Sequence, residues 1–239
     1  MNETVNLIKA STIVVVRPEP NGGIEVLMTR RRPEMQFLGG FLVFPGGAME
    51  NEDCSEKMLS LCRGLTRSDA QKILGVDLSP EISLGHWVAA VRELFEETGI
   101  HFFIHENGQP LDGTTGNLVE RLSEKRQALS SGTLDLPSVL ESEKLFCDLG
   151  RFTYLFHRIT PEKYPVRFDT RFYLAALPAN QTPLMFSEEV AESLWLTPKI
   201  ALEESASGKF SMLPPTIITL RTLAEHGSWQ NLCSAFHLR

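Results

Sequence analysis

The sequence predicts a mixed α/β fold, either α+β or a sandwich of helices about one sheet, formed as a single domain over residues 1–239. Short β-branched or alternating segments are interleaved with segments of helical period. They follow one another without the regular βαβ alternation of a doubly wound sheet. No internal repeat, low-complexity tract or linker divides the chain.

STIVVVR (11–17) is short and β-branched, as a central strand is. PEPNGG (18–23) is turn chemistry, and IEVLMTR (24–30) returns with alternating character, so the two predict a hairpin. FLVF (41–44) is a further strand, stopped by Pro45, Gly46 and Gly47. Met58, Leu61, Cys62 and Leu65 recur at i, i+3, i+4 and i+7, the buried stripe of a helix. Ser68 and Gln71 have the spacing of a capping box for a second short helix ending at Gly75. LGHWVAAVRELFEETG (84–99) predicts a long helix with a core stripe of Trp87, Val91, Leu94, Phe95 and Thr98, stopped by Gly99. IHFFI (100–104) leaves it as a strand. Helices are expected over 115–129 and 136–146, paired strands over 151–159 and 166–177, and a short strand over 193–196. Helices near 198–205 and 215–226 complete the reading.

The chain is 42% hydrophobic and 22% charged, the composition of a soluble globular protein. Its net charge of −7 counts against nucleic acid as a partner. No apolar run reaches the length of a membrane span, and MNETVNLIKA has neither the basic start nor the apolar run of a signal peptide. Cys54, Cys62, Cys147 and Cys233 show neither CxxC spacing nor the density of a disulfide scaffold, which points to a reducing, cytoplasmic setting, although four cysteines are also able to pair. The six histidines have no metal-ligand spacing, so structural or surface roles are expected of them, and core roles of Trp195 and Trp229. Whether the chain forms a homodimer is left open.

VRELFEETGI (91–100) is electrostatically awkward. Glu93, Glu96 and Glu97 repel one another at three- and four-residue spacing, and they stand at the helix end that already carries partial negative charge. The commonest setting for such glutamates is a solvated face. Here the opposite face is strongly apolar and FPGG lies upstream, so a compensating cation is the better expectation. Three carboxylates on one patch make a hard-oxygen site suited to Mg²⁺ or Mn²⁺. Arg92, four residues before Glu96, is placed to hold that carboxylate in one rotamer.

At these residues the chain resembles the Nudix family. Arg92, Glu93, Leu94, Glu96, Glu97, Gly99 and Ile100 fill every defined position in the second half of the box G-x5-E-x7-R-E-U-x-E-E-x-G-U. FPGGAMENED is similar to its opening, with Gly47 as the glycine and Asp53 at the acidic position. The family has seven residues between that acid and the arginine; here 38 intervene, an insertion placed at about 54–82. Animal coenzyme A diphosphatases of the family carry a similar long insert. The departure leaves open whether Asp53, Glu50, Glu52 or none of them joins the site. The resemblance implies an α/β/α sandwich with a mixed sheet, extended here by inserted and C-terminal helices. It also implies metal-dependent hydrolysis of a nucleoside diphosphate derivative, a small-molecule nucleotide. Glu93 and Glu97 would then be metal ligands, Glu96 a third ligand or the proton acceptor, and the carbonyl of Gly46 or Gly47 a further ligand.

LMTRRRPEMQFLGGFLVFPGG (27–47) resembles a coenzyme A signature at Leu27, Thr29, Arg31, Gly40, Phe44, Pro45, Gly46 and Gly47. It departs at Met28, Arg32 and Gln36, where Gln36 replaces an arginine; Arg30 or Arg32 is available to replace that charge. The implied substrate is coenzyme A or an acyl-coenzyme A, with NADH, ADP-ribose or another nucleotide as the alternative and a nonhydrolytic, nucleotide-binding regulatory domain as a second. Arg31 and Gly47 are candidate substrate-binding residues. Arg167 and Arg171, sharing one face of a strand with Asp169, are two more. SEEVAESLWL (187–196) is similar to the family segment that often supplies another acid, which makes Glu189 or Glu192 a candidate.

Overall fold

The computed structural model describes residues 7–111, 116–185 and 187–238; Thr115, where the helix expected over 115–129 begins, lies outside them. The strands are β1 (Leu7–Pro18), β2 (Ile24–Arg31), β3 (Leu42–Val43), β4 (Gly46–Ala48), β5 (Cys62–Arg63), β6 (Phe103–His105), β7 (Leu145–Asp148), β8 (Thr153–Ile159), β9 (Arg167–Ala176) and β10 (Val190–Leu196). The helices are α1 (Glu56–Ser60), α2 (Arg67–Leu74), α3 (Pro80–Thr98), α4 (Gly116–Ser130), α5 (Leu136–Glu143), α6 (Pro198–Ala206), α7 (Pro214–His226) and α8 (Trp229–Phe236).

The main sheet runs β10–β2–β1–β9–β8, with β3 added to β2 and β4 to β1. It is mixed: β1 pairs parallel with β9 and antiparallel with β2 and β4. Strand alternation divides the core into two. Ile13, Val15, Leu27, Tyr173 and Ala175 face α3, the insertion and α5. Val14, Val16, Val26, Met28, Phe172 and Leu174 face α6, α7 and α8. Helices therefore cover both faces, and the fold is the mixed-sheet α/β/α sandwich. Trp87 packs on Tyr173 at 4.7 Å between ring centroids, seating α3 across the sheet; replacing such a side chain by Ala costs about 3–5 kcal/mol.

Three local expectations are corrected. The 58–65 stripe is buried at Met58 and Cys62, but α1 stops at Ser60 because the Leu61 carbonyl accepts from Cys147 N–H and Cys62–Arg63 pair with β7. The second helix is capped by Thr66, whose hydroxyl accepts from the Asp69 N–H, while Gln71 donates its side-chain amide to the Leu78 carbonyl. The strand expected over 100–104 starts only at Phe103, because Gln181 takes up the backbone of His101 at both N–H and C=O. Helix α8, with Ser228 as its N-cap, adds an element that the sequence reading missed. All four cysteines are free. Among the described residues no helix is long and apolar enough to cross a membrane.

Candidate active site

Helix α3 begins where Ser79 accepts from the Ile82 N–H and Pro80 occupies the first turn. It ends at Gly99, whose left-handed conformation (φ 74°) lets its N–H reach the Phe95 carbonyl. The acidic residues occupy the last two turns, beside β4. The glycines of β4 make room in two directions: a Cβ on Gly47 would stand 2.5 Å from Glu93 Oε1 as that side chain lies, and one on Gly46 would stand 2.4 Å from the Ser11 carbonyl oxygen of β1. FPGG thus brings backbone directly against the carboxylates.

Buried Arg92 organises the cluster. Its Nε and Nη2 donate to the two oxygens of Asp53 at 2.9 and 3.0 Å, and Nη2 also donates to the Ala48 carbonyl at 2.7 Å. Nη1 donates to Glu93 at 2.9 Å and to Glu96 at 3.3 Å. The sequence reading foresaw the Glu96 contact but not the fork onto Asp53. Asp53 is itself buried and receives the Glu50 N–H at 2.8 Å, whereas the Glu50 carboxylate is exposed and 3.6 Å from Arg92. Glu52 lies in the 3₁₀ turn Glu52–Cys54 that carries Asp53 into place. The two ends of the insertion are therefore clamped together by a charge pair. The insertion packs its Met58, Leu59 and Ala70 into the core on the α3 side of the sheet.

Burial raises the Glu93 carboxyl to about 7, against the pull of Arg92. Burial raises Glu96 as well. Glu97 is held well above the carboxylate range, by burial first and then by the charge of Glu93, with Arg31 acting in the opposite direction. One Glu97 oxygen, Oε2, is buried without a hydrogen-bond partner. As the side chains stand, no three acidic, histidine or cysteine groups among the described residues are gathered into a metal cage, since Glu93 and Glu96 turn to Arg92. The donor chemistry still fits a hard divalent cation: three carboxylates on one helix end, one orphaned buried oxygen, and a backbone that Gly47 lets approach Glu93.

Glu93, Glu96, Glu97 and Glu189 line one cleft, together with Arg126, Gln127 and Ser130 of α4 and Ser187–Glu188. Arg31 stands at its side, 3.9 Å from Glu189. Arg126, which the sequence reading missed, donates to the Glu96 carbonyl at 2.7 Å; only tertiary folding brings α4 here. Arg32 donates to the Ser187 carbonyl at 2.8 Å, and Arg30 is 4.0 Å from Glu192 on the neighbouring strand. The contacts of Arg167 and Arg171 are elsewhere: Arg167 donates to the Thr160 carbonyl, and buried Arg171 pairs with Asp169, which also binds His157.

The sequence matches the family model described as the NUDT19 Nudix domain over residues 2–223, a span that bridges the insertion. It is similar to putative nudix hydrolase 7 of Caenorhabditis elegans, 26% identical over 216 residues, 88% of this chain and 59% of that protein. It is also similar to the acyl-coenzyme A diphosphatases NUDT19 of Xenopus laevis (25% over 228 residues; 83% of this chain, 59% of that one) and Homo sapiens (25% over 259 residues; 90% and 64%). The chain thus spans about three-fifths of the length of these curated relatives. A crystal structure of a NUDIX hydrolase from Alicyclobacillus acidocaldarius superposes with a TM-score of 0.79 at 28% identity, covering 97% of each chain.

Proposed function

This chain belongs to the NUDT19 Nudix domain family, and from that premise we propose that it hydrolyses the diphosphate linkage of coenzyme A or an acyl-coenzyme A. Water adds across the phosphoric anhydride, giving 3′,5′-ADP and phosphopantetheine or its acyl thioester. The observation that carries the reading is the group of three glutamates lining one cleft against the glycines of FPGG. The substrate class is supported by the relatives named acyl-coenzyme A diphosphatase and by the 27–47 stretch that sets Arg31 beside the cleft.

Bound Mg²⁺ or Mn²⁺ supplies positive charge against the diphosphate oxygens and a water of lowered pKa. Glu93 and Glu97 would hold the ion, with the carbonyl of Gly46 or Gly47. Glu96 is a third ligand or takes the proton from water. Arg92 is a positioning residue: it fixes Glu93 and Glu96 and is itself fixed by Asp53. Arg31 offers its guanidinium to an anionic group of the nucleotide, with Glu189 at the rim of the cleft.

Purified protein, incubated with Mg²⁺ or Mn²⁺ and a panel of coenzyme A, acyl-coenzyme A, NADH and ADP-ribose, tests this. The expected result is release of 3′,5′-ADP from a coenzyme A substrate. Turnover of NADH or ADP-ribose without that product would replace the substrate, and no turnover of any compound would leave a binding domain.

A further inference from the structure

A second cavity opens beside the acidic cleft, and Arg126 lines both. It lies between the end of α3, helix α4 and residues 180–184, against Phe95, Leu111, Leu118, Val119, Leu122 and Leu184. Its volume, about 180 Å³, is three times the 60 Å³ of the cleft. The wall is a built one: the Leu184 N–H bonds the Thr98 carbonyl at 2.8 Å, and the Gln181 amide is tied to His101 on both sides.

We propose that this cavity receives the pantetheine arm of the substrate, leaving the nucleotide half toward Arg31; the inference rests on the coenzyme A reading above. The two halves of such a substrate differ in what they need. The nucleotide half carries a 3′-phosphate and requires a cation, and Arg31 and Arg32 lie at the exit of β2, beside Glu189. The cavity offers a different chemistry. Its wall combines the leucines and Val119 with the polar Ser123, Gln181 and Thr182. Its two rings, Phe95 and His101, are buried and packed against each other and Phe103, so neither is laid open as a platform for an adenine. An arm with a gem-dimethyl carbon and a flexible amide chain suits such a wall. Arg126 is placed where the arm joins the diphosphate. Its Nη1 is held by the Glu96 carbonyl, while its Nε is buried with no hydrogen-bond partner.

Val119 and Ser123 are exposed positions of α4 that line the cavity, so substitutions there spare the core. Val119→Asp puts charge on the wall and Ser123→Trp fills it. Calorimetric titration with 4′-phosphopantetheine, and separately with 3′,5′-ADP, in the presence of Mg²⁺ is the test. The affinity for 4′-phosphopantetheine is expected to fall roughly tenfold or more in both variants, with 3′,5′-ADP unaffected. Equal 4′-phosphopantetheine affinity in wild type and both variants, or none in wild type, overturns the assignment. The same holds if 3′,5′-ADP binding alone is weakened. Failure of the parent reading looks different: 4′-phosphopantetheine binds in a Val119-dependent way, yet coenzyme A yields no 3′,5′-ADP. The cavity would then serve a ligand with that arm, but not in this hydrolysis.

Discussion

Glu97 concentrates the tension in the molecule, being a buried carboxyl with one unpartnered oxygen beside two more acids. Glu97→Gln keeps the shape and removes the charge. Turnover is expected to fall about a hundredfold or more, while circular dichroism and the Tm of the metal-free protein are not reduced. Asp53→Ala should behave in the opposite way. It strips the guanidinium of Arg92 of its bidentate partner inside the protein, and breaking such a pair costs about 3–5 kcal/mol, measurable by urea unfolding. The pH response follows from Glu93, raised by burial from 4.5 to about 7. The folded metal-free chain binds that proton more tightly than the unfolded chain, so this stability is fully present below pH 4.5 and is lost as pH rises through 7. Its size is on the order of 3 kcal/mol. Tm scans between pH 5 and 8 are expected to show this loss without metal and a flatter profile with Mn²⁺. The frustration among the acids was legible in the spacing of 93, 96 and 97. The Arg92 fork onto Asp53 was not, because 38 residues separate the partners and only folding brings them together.

Among the elements, β4 and α3 make the site between them, and the two glycines of β4 carry separate duties. A Cβ at Gly47 meets the end of the Glu93 side chain, which can swing away; a Cβ at Gly46 meets β1 backbone at a φ of 152°. Gly47→Ala should therefore leave stability nearly intact and lower kcat by about tenfold or more, through a misplaced carboxylate. Gly46→Ala should cost about 1–3 kcal/mol of stability. Parallel unfolding and rate measurements separate the two. The core strands and α3 were legible because their periods are strong: Trp87, Val91, Leu94, Phe95 and Thr98 are all buried. The insertion was harder to read. Met58 and Cys62 do share a buried side, but a two-residue strand rather than a helix delivers Cys62. That pairing with β7 depends on residues more than eighty positions away, which no local window contains.

At the scale of the whole molecule, the insertion and the C-terminal helices leave the sandwich and its cleft in place. The insertion packs into the core and stitches to β7, while α6, α7 and α8 cover the other face of the sheet. The sandwich, the acidic helix and Glu189 could be anticipated from motif and pattern; the partners that α4 brings to the cleft, Arg126, Gln127 and Ser130, could not, since nothing local marks them. In the proposed function an acidic protein of net charge −7 meets an anionic substrate through a cation held at the end of α3. Titration of Mn²⁺ into wild type and a Glu93→Gln/Glu97→Gln double variant, with and without coenzyme A, tests this most directly. Saturable binding in the wild type, tightened by the diphosphate and abolished in the variant, is the predicted result. Identical titrations for the two proteins, or no binding by the wild type even with coenzyme A present, would contradict it.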